Sequence, residues 1–154
     1  MLLFNSFLNH EKEKTVREHF GGFQDNFSDQ QKKAIMLSLF LIANSDGEYH
    51  YKEHQFFTQA ATILGYRLKS SDDAQLEEFM SFDRETLMKT LSTLDEGQKD
   101  WYILTVFGMI HADKVPLEIE FQYASSFFDS MGITEERCEN VIKKAAALQK
   151  FFKL

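Results

Sequence analysis

The chain holds one proline, one cysteine and only seven glycines in 154 residues. So little proline and glycine leaves long stretches free to be helix, and it argues against a strand-and-turn sandwich. The lone cysteine, Cys138, cannot form an internal disulfide, which fits a reducing compartment. No apolar run approaches the roughly 20 residues that a membrane span requires. A basic excess is missing too: 24 acidic residues stand against 17 basic ones, a net charge of −7. That balance disfavours a phosphate-backbone binder, which needs a basic face, so nucleic acid is not expected as a partner. The opening residues, Met1 to Leu8, are mildly apolar but have no basic leader and no small-residue cleavage site. A cytoplasmic protein without membrane association is expected.

Hydrophobic residues make up 44% of the chain and charged residues 27%, and there are 16 phenylalanines. This is the composition of a globular domain long enough to bury a core without disulfides or structural metal. Residues 1–154 therefore read as a single domain.

The strongest pattern is an internal repeat at an offset of 67 residues, which lays 31–65 on 98–132 without gaps. Identical pairs are Gln31/Gln98, Leu37/Leu104, Phe40/Phe107, Asp46/Asp113, Glu53/Glu120, Gln55/Gln122 and Gly65/Gly132. Each falls at an intelligible place. Ser28 and Asp95 stand three residues before Gln31 and Gln98, the capping-box arrangement that opens a helix. An apolar helix follows each cap, from Ala34 to Ala43 and from Trp101 to Ala112, and breaks at Asp46 or Asp113. Second helices run from about His50 to Leu64 and from about Leu117 to Met131. Gly65 and Gly132 come just past their ends, where a left-handed cap residue is expected.

The spacing thus predicts an all-α bundle of about seven to eight helices, built from two pseudo-repeated helix-loop-helix hairpins. An N-terminal helix lies within 1–22, at about Asn9 to Phe20, and stops at Gly21-Gly22. Repeat one spans 28–66, linking helices fill 71–94 (Ser71 to Met80 and Asp83 to Leu94), and repeat two spans 95–133. A C-terminal helix occupies 134–154.

Among residues that could carry chemistry, the repeated acids come first. Asp46 and Asp113 sit in the loops, Glu53 and Glu120 follow in the first turns of the second helices, and Glu48 and Glu118 lie near them. Hairpins packed about a pseudo-twofold axis would bring these loops together, and oxygen ligands would suit Ca²⁺ or Mg²⁺. The competing explanation needs no metal: Asp-Gly is ordinary turn chemistry, and a Glu at the third helical position closes a cap. An EF-hand is excluded, because Tyr51 stands where its glycine is needed and Phe57 where its bidentate Glu is needed.

His50-Tyr51-Lys52-Glu53-His54 matches the H-x-x-E-H pattern of a zinc hydrolase, in which two histidines hold the ion and the Glu activates its water. The repeat argues against it, since His50 and His54 align with Leu117 and Phe121. Both histidines are therefore expected on a packing stripe that His54 continues through Phe57, Ala61 and Leu64. His111 reads as a capping or surface residue, and His10 and His19 as solvated. Glu135, Glu136 and Glu139 around Cys138 disfavour a thiolate. Lys143, Lys144, Lys150 and Lys153 near the C-terminus complement a helix dipole. Phe56, Phe127 and Phe151-Phe152 exceed what one core face requires, and some of them are expected to mark a partner surface.

A helix, then Asn44-Ser45-Asp46-Gly47-Glu48, then Glu53 opening the next helix, with a related arrangement about 70 residues on, resembles the TerB-like (tellurite-resistance) family. The resemblance covers roughly 28–150. It implies an all-helical bundle of duplicated helix pairs, found in proteins of metal and oxyanion stress response, without an established reaction. It also implies a divalent cation at Asp46, Glu48 and Glu53, and at Asp113 and Glu120. The second loop departs from the family pattern, reading Asp113-Lys114-Val115-Pro116, where Lys114 adds a positive charge and Val115 cannot coordinate. The expected function is a non-enzymatic interaction or sensing module of stress response, with another protein as partner. The alternatives are a hydrolase built on His50, Glu53 and His54, or a scaffold that needs no metal.

Overall fold

The structure, a computed structural model, describes residues 24–48, 51–112 and 116–152, with side chains through Ala147. The expected N-terminal helix, His10, His19, His50 and Asp113 lie outside the described residues. Within them are seven helices and no strand: α1 (Asp29–Ala43), α2 (Tyr51–Leu64), α3 (Asp72–Met80), α4 (Arg84–Leu91), α5 (Glu96–Ile110), α6 (Glu118–Ser130) and α7 (Glu135–Phe152).

The local chemistry that starts α1 and α5 is the same. Ser28 Oγ accepts from the Gln31 N–H (3.1 Å) while Gln31 Oε1 accepts from the Ser28 N–H (3.0 Å). Asp95 and Gln98 make the corresponding two bonds, both at 2.8 Å. Each box satisfies two N–H groups that a helix start would leave without partners. The glutamines then reach across the fold. Gln31 Nε2 donates to Thr93 Oγ1 at 3.1 Å, just ahead of α5, and Gln98 Nε2 donates to the carbonyl of Asn26, just ahead of α1. The two helix starts are thereby tied to each other's approach segments.

Helix ends are equally legible. Gly65 and Gly132 adopt φ of 73° and 71°, a left-handed conformation that a Cβ disfavours. They let the Tyr66 N–H donate back to the Ala61 carbonyl and the Ile133 N–H to the Phe128 carbonyl, both at 2.9 Å. These are the long bonds of a Schellman-type ending. The helix expected over Asp83 to Leu94 stops sooner, at Leu91. Ser92 and Thr93 turn their hydroxyls back onto the carbonyls of Lys89 and Thr90, at 2.6 Å each. Such back-bonding competes with further helix.

Helix α1 is the hub. It packs against α2, α4, α5 and α6, while α5 packs against α2, α6 and α7 and α4 rests on α6. Its central position explains why α1 is buried around most of its circumference, at Ala34, Ile35, Met36, Leu39, Ile42 and Ala43. The phenylalanines group around Phe40 and Phe107. Phe40 lies 6.3 Å from Phe57 and 5.5 Å from Phe79, and Phe107 lies 6.1 Å from both Phe121 and Phe128. Phe56 and Phe127 are buried core residues, although Phe127 also lines a surface groove. The bundle has several helix-to-helix seams to fill instead of one face, so it consumes more aromatic volume than one amphipathic stripe suggests.

One polar link crosses the centre. The Tyr102 hydroxyl on α5 donates to Ser38 Oγ on α1 at 2.8 Å, and Ser38 Oγ donates to the Ile35 carbonyl at 2.7 Å. Complete burial pushes the Tyr102 phenol far above its ordinary value, more than its hydrogen bond to Ser38 lowers it.

Candidate functional site

The acidic residues separate into two groups. Asp46 and Glu48 stay in the α1–α2 loop, where Asp46 Oδ1 accepts from the Glu48 N–H at 2.9 Å in a turn closed by its own side chain. Glu53 and Glu120 instead go into the core, with exposures of 1% and 2%. Glu120 Oε1 accepts from the Leu117 N–H at 3.0 Å, so this carboxylate secures the start of α6 and faces its positive dipole end. Among the described residues no three His, Cys, Asp or Glu side chains come together as metal ligands. The described residues alone therefore do not form a cation cage, and Asp113 lies outside them.

Helix α2 has a different phase from the one expected. Its buried positions are Glu53, Phe56, Phe57, Ala60, Ala61, Ile63 and Leu64, while His54 is exposed. The packing stripe thus begins at Glu53, and the expectation that His54 belongs to it is corrected. The cause is the neighbour set: α2 lies against both α1 and α5, and the helix turns its small and aromatic residues into that angle. A water-activating carboxylate sealed in the core beside a solvent-facing imidazole is not the arrangement that the hydrolase motif needs. On α6 the buried stripe likewise begins with its glutamate, running through Glu120, Ala124, Phe127 and Phe128.

His111 is the C-cap of α5 and exposed. Its Nδ1 lies 2.8 Å from the Phe107 carbonyl, and its ring stacks on Phe107 with centroids 6.3 Å apart. Cys138 is buried, and that burial pushes its thiol up, as Glu135 does to a smaller extent. A raised thiol is a poor nucleophile. Arg137 is held by Glu96 and by Asp100 (3.0 Å), joining α7 to α5.

The concave feature that sequence reasoning missed is an apolar groove of about 600 Å³ between α1, α3, α4 and α6. Leu37 and Leu41 of α1 and Leu87 of α4 lie along it, with Leu76 and Met80 from α3 and Tyr123 and Phe127 from α6. Met80 is 81% exposed, and Leu76 and Tyr123 are also exposed. Asp83 sits at the groove and caps α4, accepting from the Thr86 N–H at 2.7 Å, a bond that holds its carboxyl below its usual value. Lys33 reaches across to the C-terminal end of α3: it pairs with Glu78 (3.4 Å), bonds Ser81 and lies 4.3 Å from the Phe82 ring centre. The signal in the sequence was faint, because Leu76 and Met80 sit i,i+4 on a helix too short for a clear amphipathic pattern.

These features define the class: an all-helical domain of capped helix pairs around a central helix, with an apolar groove on its surface. Residues 3–76, just under half of the chain, are similar to the family model for Tellurite resistance protein TerB. The match reaches further toward the N-terminus than the resemblance carried by the Asp-Gly-Glu motif, and it stops before the second hairpin. No curated protein and no solved structure matches the chain.

Proposed function

We propose that this chain is a non-enzymatic interaction module of stress response, tellurite-resistance-like, whose working surface is the groove between α1, α3, α4 and α6. The observation that carries this reading is the clustering of exposed apolar side chains there. Of the large hydrophobic residues exposed among the described residues, Leu76, Met80 and Tyr123 line this groove. Scattered exposed hydrophobics are ordinary, whereas a contiguous apolar concavity marks a binding surface. The rest of the fold supplies rigidity, with α1 fixed on several sides.

The same proposal places a divalent cation, Ca²⁺ or Mg²⁺, at the acidic loops through Asp46, Glu48, Glu53, Asp113 and Glu120, as the input the module senses. Support comes from the match of residues 3–76 to the TerB family model. Titration with Ca²⁺, Mg²⁺, Zn²⁺ and Mn²⁺, followed by amide NMR shifts and thermal melting, tests it. An ion that binds the native state alone raises the melting temperature. The expected result is a rise with Ca²⁺ or Mg²⁺ that Asp46→Ala abolishes. The absence of any shift in the wild-type chain and in Asp46→Ala alike would remove the cation and leave a metal-free scaffold.

A further inference from the structure

A second cavity, of about 540 Å³, lies between α5, α6 and α7, apart from the groove described above. Its walls are apolar, formed by Phe107 of α5, Phe121 and Phe128 of α6, Ile133 of the connecting turn and Ile142 of α7. The charged residues along it are all acids: Asp129 in the last turn of α6, Glu135 in the first turn of α7 and Glu139 one turn further on. All three are exposed, and none pairs with a cation among the described residues. The basic residues of α7 lie elsewhere. Arg137 and Lys144 line a different surface, where Glu96 and Asp100 hold Arg137, and Lys143 is exposed and not part of the cavity wall. The Cys138 thiol, also on the wall, is pushed up by burial, so it stays neutral and gives the cavity no further charge.

We infer that this cavity binds a small organic cation, with an ammonium group at the three carboxylates and an apolar, aromatic-sized body against the phenylalanines. The site is separate from the interaction groove and from the acidic loops, and it stands or falls without them. Its volume lies within the range of small-molecule sites, about 300–1,000 Å³, and it shares their design of apolar walls with a few polar groups that fix orientation. Charge complementarity selects the sign of the ligand. The carboxylates and the negative dipole end of α6 attract a cation and repel an anion, and Glu135 offsets the positive start of α7. The same acids do not converge on a metal: among the described residues no three His, Cys, Asp or Glu side chains come together as ligands. Spread along an apolar wall, they suit an organic cation that covers that wall better than a compact ion that needs a closed oxygen shell.

The test titrates the full chain with phenethylammonium, with phenethyl alcohol as its neutral counterpart, with hydrocinnamate as an anion of similar shape, and with magnesium chloride. NMR of ¹³C-labelled isoleucine methyls reads affinity and place together, because Ile133 and Ile142 line the cavity while Ile35 and Ile63 are buried elsewhere. The expected result is that phenethylammonium shifts Ile133 and Ile142 and binds at least about tenfold tighter than the alcohol. Hydrocinnamate should bind more weakly than the alcohol, and the affinity of the cation should fall as salt rises. The Asp129→Asn/Glu135→Gln/Glu139→Gln variant changes only exposed side chains, so its methyl spectrum should stay that of the native fold. It should bind phenethylammonium no better than the alcohol. Equal affinity of the wild-type chain for the cation and the alcohol would overturn the inference, as would undiminished cation binding by the triple variant. Magnesium shifting the same two methyls as tightly as phenethylammonium would overturn it in favour of an inorganic ion. Failure of every ligand to move Ile133 and Ile142 at millimolar concentration would leave no site there at all.

Discussion

Replacing Tyr102 by Phe and Ser38 by Ala, singly and together, tests whether the buried hydroxyl pair between α5 and α1 is a satisfied unit. Tyr102→Phe removes one hydrogen bond but leaves Ser38 Oγ its bond to the Ile35 carbonyl, so nothing polar is stranded. The cost should be that of one net hydrogen bond, about 1 kcal/mol. Ser38→Ala differs in kind. It leaves the Tyr102 hydroxyl, at 0% exposure, without its acceptor, which costs about 1–3 kcal/mol in desolvation. In the double variant both partners are apolar, so the loss should drop back to about 1 kcal/mol and the two changes should couple by about 1–3 kcal/mol. Urea unfolding supplies the numbers, provided the slopes of the transitions are unchanged between variants. Additivity within about 0.5 kcal/mol would refute the reasoning. The pH dependence gives an independent check. The folded-state value of Tyr102 is raised well above the ordinary 10.0, so the unfolded chain ionises first as the pH rises. The stability linked to the neutral phenol is complete below pH 10 and is lost above it by about 1.4 kcal/mol per pH unit. Tyr102→Phe should be less steep than the wild-type chain by that amount, and identical slopes would show that the phenol is not sealed.

Glu120 should behave as a helix cap: Glu120→Ala should cost about 1–2 kcal/mol in denaturant unfolding, while Glu120→Gln, which keeps an acceptor for the Leu117 N–H, should stay within about 0.5 kcal/mol. Equal losses for the two would make the charge, not the cap, the reason for its burial. Phe79→Ala empties the ring cluster it shares with Phe40, Phe57 and Tyr66 and should cost about 3–5 kcal/mol. The adjacent Met80→Ser should change stability by less than about 0.5 kcal/mol, since Met80 belongs to the surface of the groove; a large loss there would place it in the core. Arg137→Ala, which frees α7 from Glu96 and Asp100, should cost about 1 kcal/mol or less at low salt and still less at high salt. A salt-independent loss would point to packing of the arginine stem in place of its charge.

Local signals were read correctly wherever the chemistry is itself local. Ser28–Gln31 and Asp95–Gln98 close their boxes within four residues, and Gly65 and Gly132 need only the turn that they end. Such features depend on backbone groups that no distant segment alters. The early end of α4 was missed for a related reason: the hydroxyls of Ser92 and Thr93 serve a helix and its ending equally well, and the choice falls to the segment that must deliver Leu94 to the core. The phase of α2 was missed because hydrophobicity alone favoured His54 over Glu53 for the inward face. A carboxylate in the first turn enters the core at a tolerable cost because it sits at the positive end of the helix, as the bond from Leu117 to Glu120 illustrates on α6. His54, one position on and about 100° around the helix, is left facing water.

The sequence by itself determined that the chain is all-helical, where most helices begin and end, and that a TerB-like family model should match it. It did so because capping, left-handed glycine and helical periodicity act over a few residues. Only the tertiary structure decided which carboxylates are sealed and that Phe56 and Phe127 are core. Only it decided that α3 and α6, about forty residues apart in sequence, face one apolar groove. Those outcomes depend on which helices α1 meets around its circumference, and that is settled by the packing of the whole bundle.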